Sequence, residues 1–152
     1  MNTNDYLLLF SPIVLGLGSA AFIDKKKIPK VNSAYDPPAW VFGLVWPILY
    51  LLLGYSAYLI GQGQNTLGQG QSRNALTFFF VHLFFLLIWW PIFVYYPNPF
   101  YSSITLFILA CSAVFLCYLY SKINMVAAYC LAPYVLWLFF ATFLSSQTKL
   151  KN

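Results

Sequence analysis

The chain has 152 residues, of which 61% are hydrophobic and only 7% are charged. A soluble domain carries about a quarter charged residues, so a water-soluble fold is excluded because too little charge remains to cover its apolar surface. The net charge of +5 does not indicate a nucleic-acid partner, since the basic residues form short clusters beside apolar segments, as juxtamembrane residues do.

Five apolar stretches are long enough for helices that cross a bilayer, which takes about 20 residues each. The runs are continuous rather than alternating, and open strands cannot satisfy their backbone in lipid, so helices are favoured. We therefore predict an all-α, multi-pass membrane protein in which residues 1–152 form a single bundle of five transmembrane helices. The predicted helices span residues 6–23, 40–60, 75–96, 100–120 and 124–146.

Residues 18–21 in the first predicted helix resemble the cleavage site of a signal peptide, but no Lys or Arg precedes residue 25, so we predict that the helix is retained. Gly16 and Ala20 stand at the small-xxx-small spacing that allows close helix approach. Two interpretations of this spacing stay open, a homodimer interface and packing within the chain.

The connections between the predicted helices differ in character. Residues 24–39 are polar and basic, whereas residues 61–73 are rich in Gly, Gln and Asn and predict a flexible polar loop. Residues 95–100 predict a tight turn. Residues 121–123 are so few that the last two helices must be antiparallel neighbours.

The basic residues are unevenly divided between the two sides of the predicted bundle. One side has only Arg73 and Lys122. The other side has the basic loop and the C-terminal tail, with Lys25, Lys26, Lys27, Lys30, Lys149 and Lys151. Because cytoplasmic loops are enriched in Lys and Arg, we predict a cytoplasmic C-terminus and an external N-terminus.

Residues 37–50 read PPAWVFGLVWPILY and open the second predicted helix. Two prolines suit a first helical turn, and Trp40 lies at the expected membrane–water boundary, where indoles concentrate. Trp46 and Tyr50 are four residues apart and share one helix face.

Residues 133–144 read PYVLWLFFATFL in the last predicted helix. Tyr134, Trp137 and Ala141 share a face at helical spacing, and small Ala141 beside Trp137 leaves room for a flat ligand against the indole. The spacing alone favours a packed aromatic core or an interfacial belt over a ligand pocket.

His82 is the only histidine in the chain, and it shares a helix face with Phe85, Trp89 and Phe93. The favoured interpretation is a histidine hydrogen-bonded between helices or at the end of a span. Its alternatives are ligation of haem iron and a bond to a ligand propionate.

Residues 37–50 and 133–144 closely resemble the second- and fifth-helix motifs of the TspO family, PPxWxFGxxWxxLY and PYxxWxxFAxxL. Residues 82–93 resemble the third-helix motif less closely, and helix number, loop sizes and chain length also agree. The resemblance implies a membrane receptor or binding protein for tetrapyrroles such as porphyrin or haem, or for sterol-like lipids, with no required cofactor.

With the helical spacing, the resemblance also favours a pocket and implies its residues. The ligand-binding candidates are Trp40, Trp46, Tyr50, His82, Trp89, Tyr134, Trp137 and Ala141. In the family, the tryptophans that match Trp46 and Trp137 line the cavity and are implicated in light-dependent porphyrin breakdown, so this activity is one alternative. A porphyrin or lipid transporter is the other.

The chain departs from the family pattern at several polar positions. Tyr35 stands where a Trp is common, Leu86 replaces the third-helix Asn, and Leu144-Ser145-Ser146 replaces the fifth-helix LNY. These changes remove polar contacts from the expected site.

Conventional catalysis is not predicted, because no predicted span contains Asp or Glu and neither HExxH nor GxSxG occurs. No cluster of metal ligands is present in the sequence either, so we predict no metal site. Ion-coupled transport is less favoured than binding, since it requires intramembrane charges or paired helix breaks.

Overall fold

The computed structural model describes residues 3–21, 37–63, 69–96 and 98–147, with the backbone alone for residues 20, 39 and 69. Most of the predicted basic loop, residues 24–36, lies outside these ranges. The described chain forms five α-helices and no strand, which confirms the predicted all-α bundle. The helices are α1 Thr3–Ala21, α2 Ala39–Gln62, α3 Gln69–Tyr95, α4 Pro99–Ser121 and α5 Met125–Gln147.

Four of the helices, α2 to α5, are long and apolar enough within the described residues to cross a membrane. Large apolar side chains also point outward from the bundle, such as Phe84 at 59% exposure and Leu136 at 70%. Such a surface suits lipid and not water, so the chain is an integral multi-pass membrane protein. A crossing by α1 and the orientation of the termini stay predictions.

The third helix begins earlier than predicted. We expected residues 61–73 to form a flexible loop, but α2 continues to Gln62 and α3 starts at Gln69, so that Arg73 is helical. The prediction was wrong because it used apolarity to place helix ends. A helix satisfies its own backbone beyond the lipid, and Gln and Arg are good helix formers whose side chains reach water.

Close packing joins α1 to α2 as an antiparallel pair. A Cβ at Gly54 would collide with the backbone carbonyl of Leu9, and a Cβ at Gly16 would collide with the Tyr50 ring. Near the start of α1, the Gln62 amide donates a 2.9 Å hydrogen bond to an Asp5 carboxylate oxygen. Gly16 therefore serves packing within the chain, and a homodimer remains a prediction.

The last two helices are antiparallel neighbours, as predicted, and are joined by a tight turn. The Tyr120 carbonyl accepts hydrogen bonds from the backbone N–H groups of Ile123 and Asn124 at 3.0 and 2.7 Å. The Asn124 side chain then caps α5 by accepting from the backbone N–H groups of Val126 and Ala127. The turn therefore satisfies the peptide groups that the helix ends leave without partners.

Helix α2 has a central place in the bundle, because it contacts α1, α3 and α5, whereas α4 packs on α3 and α5. Side chains on different faces of α2 therefore meet three other helices. An inward-facing side chain in the first half of α2 can therefore contact more than one of these helices.

We expect Gly54→Ala to lower the free energy of unfolding by about 1–3 kcal/mol, the usual cost of overpacking. The added methyl group would collide with the Leu9 carbonyl and force α1 away from α2. Gly18→Ala is the matched control, because among the described residues no atom beyond its own stretch of helix lies within 4 Å of a Cβ built there. Denaturation in detergent, followed by circular dichroism, checks both variants. Equal stability of the two variants would contradict this packing.

Candidate functional site: an aromatic cavity around Trp46

The indole of Trp46 brings three helices together. Its ring centroid lies 6.3 Å from that of Trp89 on α3, with the planes stacked at 28°. The ring of Trp137 on α5 lies 6.5 Å away and is nearly perpendicular, at 88°. One turn further along α2, the Tyr50 ring is 5.5 Å from Trp46. Offset-stacked and perpendicular geometries are the favourable arrangements of aromatic pairs, so the rings hold one another in fixed orientations.

A cavity of about 210 Å³ opens beside this cluster between α1, α2 and α3. Its wall is largely aromatic and includes Gly16, Trp46, Tyr50, Leu86, Trp89 and Trp90. Gly16 matters because its missing side chain leaves the space that the Tyr50 ring occupies. No charged residue lines the cavity within the described chain. An apolar aromatic wall of this kind suits a flat apolar ligand.

Three of the eight predicted ligand-binding residues, Trp46, Tyr50 and Trp89, line the cavity together. Trp137 lies behind Trp46 and also contacts the Phe42 ring at 5.7 Å, so it supports the wall instead of forming it. The tryptophans of α2 and α5 thus contact each other, but of these two only Trp46 lines the cavity.

The other predicted residues do not line the cavity. Trp40 is 68% exposed at the start of α2. Ala141 is half-buried and packs against the hydrophobic core. His82 and Tyr134 are buried side by side among α3, α4 and α5.

His82 links three helices through both of its ring nitrogens. Nδ1 lies 2.7 Å from the hydroxyl of Ser112 on α4, and Nε2 lies 2.7 Å from the hydroxyl of Tyr134 on α5. The Ser112 hydroxyl donates its own hydrogen to the Leu109 carbonyl at 2.8 Å, so it accepts from Nδ1–H. The Tyr134 hydroxyl therefore donates to Nε2. With both nitrogens engaged, the geometry favours the interhelical interpretation of His82 over ligation of iron.

Several lining residues were absent from the predicted set. Gly16 and Leu17 come from α1, whose small-xxx-small spacing predicted close helix packing but not a place at the site. Leu86 and Trp90 lie within residues 82–93, which resemble the third-helix motif. The consecutive tryptophans at 89 and 90 were a signal that this helix lines the site.

Two indole N–H groups at the site are buried without a hydrogen-bond partner among the described residues, those of Trp89 and Trp137. A buried donor without a partner costs about 1–3 kcal/mol. The site therefore combines a flat apolar wall with two hydrogen-bond donors that no described residue accepts from.

Metal ligands are not grouped at this site. Among the described residues, no three His, Cys, Asp or Glu side chains are close enough to hold a metal ion. The cysteines Cys111, Cys117 and Cys130 are free thiols. The chemistry that the described site offers is thus aromatic contact and hydrogen bonding.

We expect Tyr134→Phe to lower the free energy of unfolding by about 0.6 kcal/mol and at most about 1.7, the range measured for hydrogen bonds between membrane helices. Tyr120→Phe is the matched control, because the Tyr120 hydroxyl is buried without a partner among the described residues. Its removal is expected to be neutral or stabilising. Denaturation of both variants in detergent tests the difference. A larger loss for Tyr120→Phe would contradict the described bonding of His82.

A model of the TspO/MBR family matches residues 8–150 of this chain. The match thus covers most of α1 and the whole of α2 to α5, which include the helices that form the aromatic cavity.

Individual relatives agree with this match. A translocator protein homolog of Schizosaccharomyces pombe is 30% identical over 129 residues, which are 85% of this chain and 76% of that protein. The translocator protein of Homo sapiens is 30% identical over 114 residues, 75% of this chain and 67% of that protein. The tryptophan-rich protein TspO of Chlorobaculum tepidum is 25% identical over 119 residues, 76% of this chain and 72% of that protein.

Proposed function

This chain belongs to the TspO/MBR family, and we propose that it is a membrane binding protein for flat apolar ligands, either tetrapyrroles such as porphyrin and haem or sterol-like lipids. The observation that carries the proposal is the aromatic cavity between α1, α2 and α3, walled by Trp46, Tyr50 and Trp89. Names of relatives such as "tryptophan-rich sensory protein" agree with a membrane protein of this class.

The cavity wall is suited to recognising a ring system. Trp46 and Trp89 are stacked at 28°, and Trp90 is stacked on Trp89 at 8°. Aromatic pairs contribute about 0.5–1.5 kcal/mol each beyond the burial of their area. A flat ligand that adds one more ring to this stack gains the energy of the aromatic pair and that of burying its apolar area. A charged group on a ligand finds no opposite charge among the described lining residues.

The size of the cavity limits how a large ligand binds. Pockets that enclose a drug-sized ligand usually measure about 300–1,000 Å³, whereas this cavity measures about 210 Å³. We therefore expect a ligand as large as a porphyrin to insert one edge between the helices, with the remainder of the ring outside the cavity.

Binding is favoured over ion-coupled transport. The sequences of α2, α4 and α5 contain no charged residue, and α3 contains only Arg73, close to its start. Transport driven by ions requires charges or broken helices near the middle of the membrane.

Titration with protoporphyrin IX in the dark, in mild detergent and followed by porphyrin absorbance, tests the proposal. We expect saturable binding that Trp46→Phe weakens about tenfold, because roughly 1.4 kcal/mol of ring contact is lost. Trp137→Phe is expected to have a smaller effect, since Trp137 supports Trp46 from behind.

Trp40→Phe is the matched control for the loss of one indole, because the structure places Trp40 outside the cavity and largely exposed. We expect it to bind porphyrin as the unmodified protein does. Non-saturable binding, or equal weakening by Trp40→Phe and Trp46→Phe, would contradict the proposal.

A light-dependent breakdown of porphyrin is a second candidate, favoured by the contact of the Trp46 indole with those of Trp89 and Trp137. Illumination of the porphyrin complex tests it. If the candidate is correct, the porphyrin bands of the complex decay faster than those of free porphyrin, and Trp46→Phe removes the difference at saturating porphyrin. Equal decay of free and bound porphyrin would exclude it.

A further inference from the structure

We propose that Tyr134 and His82 form a proton-coupled redox pair, in which Tyr134 gives an electron to an oxidised tryptophan of the aromatic cluster while its hydroxyl proton moves to His82. The oxidant is a photoexcited porphyrin in the cavity, which takes an electron from Trp46. The inference therefore rests on the second candidate function, and it assigns to that reaction two residues that do not line the cavity.

The hydrogen bond between Tyr134 and His82 has the direction that such a pair requires. The Tyr134 hydroxyl lies 2.7 Å from Nε2 of His82, and the Ser112 hydroxyl lies 2.7 Å from Nδ1. Because Ser112 donates its own hydrogen to the Leu109 carbonyl, Nδ1 carries the ring hydrogen and Nε2 accepts the phenolic one. A base must lie within about 2.6–3.2 Å of the group whose proton it takes, and Nε2 meets this condition.

Both side chains are shielded from solvent, with exposed fractions of 0% for Tyr134 and 1% for His82. Water therefore does not reach the phenol to take its proton, and His82 is the base at hand. His82 is also the only histidine in the chain, so Tyr134 is the one tyrosine of twelve that has an imidazole as its base. This partner distinguishes it from Tyr50, whose ring lies 5.5 Å from that of Trp46.

Aromatic rings connect the pair to the cavity. Tyr134 and Trp137 are three residues apart on α5, a spacing that places side chains on one helix face with Cβ atoms about 5–6 Å apart. The Trp137 ring then lies 6.5 Å from that of Trp46, which lines the cavity. An electron can thus pass from Tyr134 to Trp46 between neighbouring rings, and Trp137 takes part in the reaction from its place behind the wall.

The step conserves atoms, electrons and charge. The photoexcited porphyrin takes one electron from Trp46 and leaves an indole radical cation. Tyr134 then gives one electron to that indole through Trp137, while its O–H bond breaks and the proton forms an N–H bond at Nε2 of His82. The products are a neutral tyrosyl radical, a histidinium ion and the restored tryptophan. The positive charge moves from indole to imidazole, and the resting pair is restored when the reduced porphyrin returns its electron and His82 its proton.

Electron paramagnetic resonance of the ligand-free protein tests the pair without porphyrin. The protein in lipid nanodiscs is frozen, illuminated with near-ultraviolet light that tryptophan absorbs and tyrosine does not, and then warmed in steps. We expect the indole radicals to be replaced by a neutral tyrosyl radical, identified by the change of its hyperfine splitting when the tyrosines are ring-deuterated. Indole radicals that decay without a tyrosyl radical would overturn the proposal.

Two variants assign the radical. Tyr134→Phe is expected to remove the tyrosyl signal because the electron donor is lost. His82→Gln is expected to remove it too, although an amide can accept from Tyr134 and donate to Ser112 and so keep both hydrogen bonds, because an amide does not take up the proton. Tyr120→Phe is the matched control, since Tyr120 is equally buried and is not bonded to His82, and it should keep the signal. A tyrosyl signal that survives in Tyr134→Phe would overturn the proposal.

Visible light and saturating protoporphyrin IX separate this inference from the function on which it rests. We expect the same tyrosyl radical in the unmodified protein and a longer-lived tryptophan radical in His82→Gln. A tyrosyl radical with ultraviolet light but none with porphyrin would overturn porphyrin as the oxidant, and the light-dependent candidate with it, while the pair stands. Absence of the tyrosyl radical under both kinds of light would overturn the pair, even where the dark titration shows saturable porphyrin binding.

Discussion

The interior of a lipid bilayer offers no hydrogen-bond partner to a polar group, and every polar side chain of this bundle is placed under that constraint. Several serine and threonine hydroxyls donate to a carbonyl of their own helix, as Ser56 does to Leu53 at 2.7 Å and Thr142 to Leu138 at 2.8 Å. His82 cannot do so, and it is paired across helices through both nitrogens. These bonds join α3, α4 and α5.

Not every buried polar side chain of the described residues is paired. Four buried side-chain polar atoms among the described residues lack a partner, and two of them are the indole nitrogens of Trp89 and Trp137. Both rings contact Trp46, beside a cavity that α1 completes through Gly16.

The sequence predicted the helices well and the cavity only in part. Apolar runs identify membrane spans because the bilayer has a fixed thickness, but they missed the first turns of α3, whose Gln and Arg residues are helical beyond the lipid. The family motifs indicated Trp46, Tyr50 and Trp89 as site residues. Helical spacing alone does not determine how helices rotate and pack against one another. Three features depend on that packing: the contribution of Gly16, the place of Trp137 behind the wall, and the bond between His82 and Tyr134.

The central claim is that ligands enter the cavity beside Trp46, and fluorine NMR tests it most directly. The five tryptophans are replaced by 5-fluorotryptophan, the resonances are assigned with single Trp→Phe variants, and protoporphyrin IX is added in the dark. We expect the resonances of Trp46, Trp89 and Trp90 to move with saturable dependence on porphyrin, while that of Trp40 stays in place. Movement of the Trp40 resonance without the other three would contradict a ligand site in this cavity.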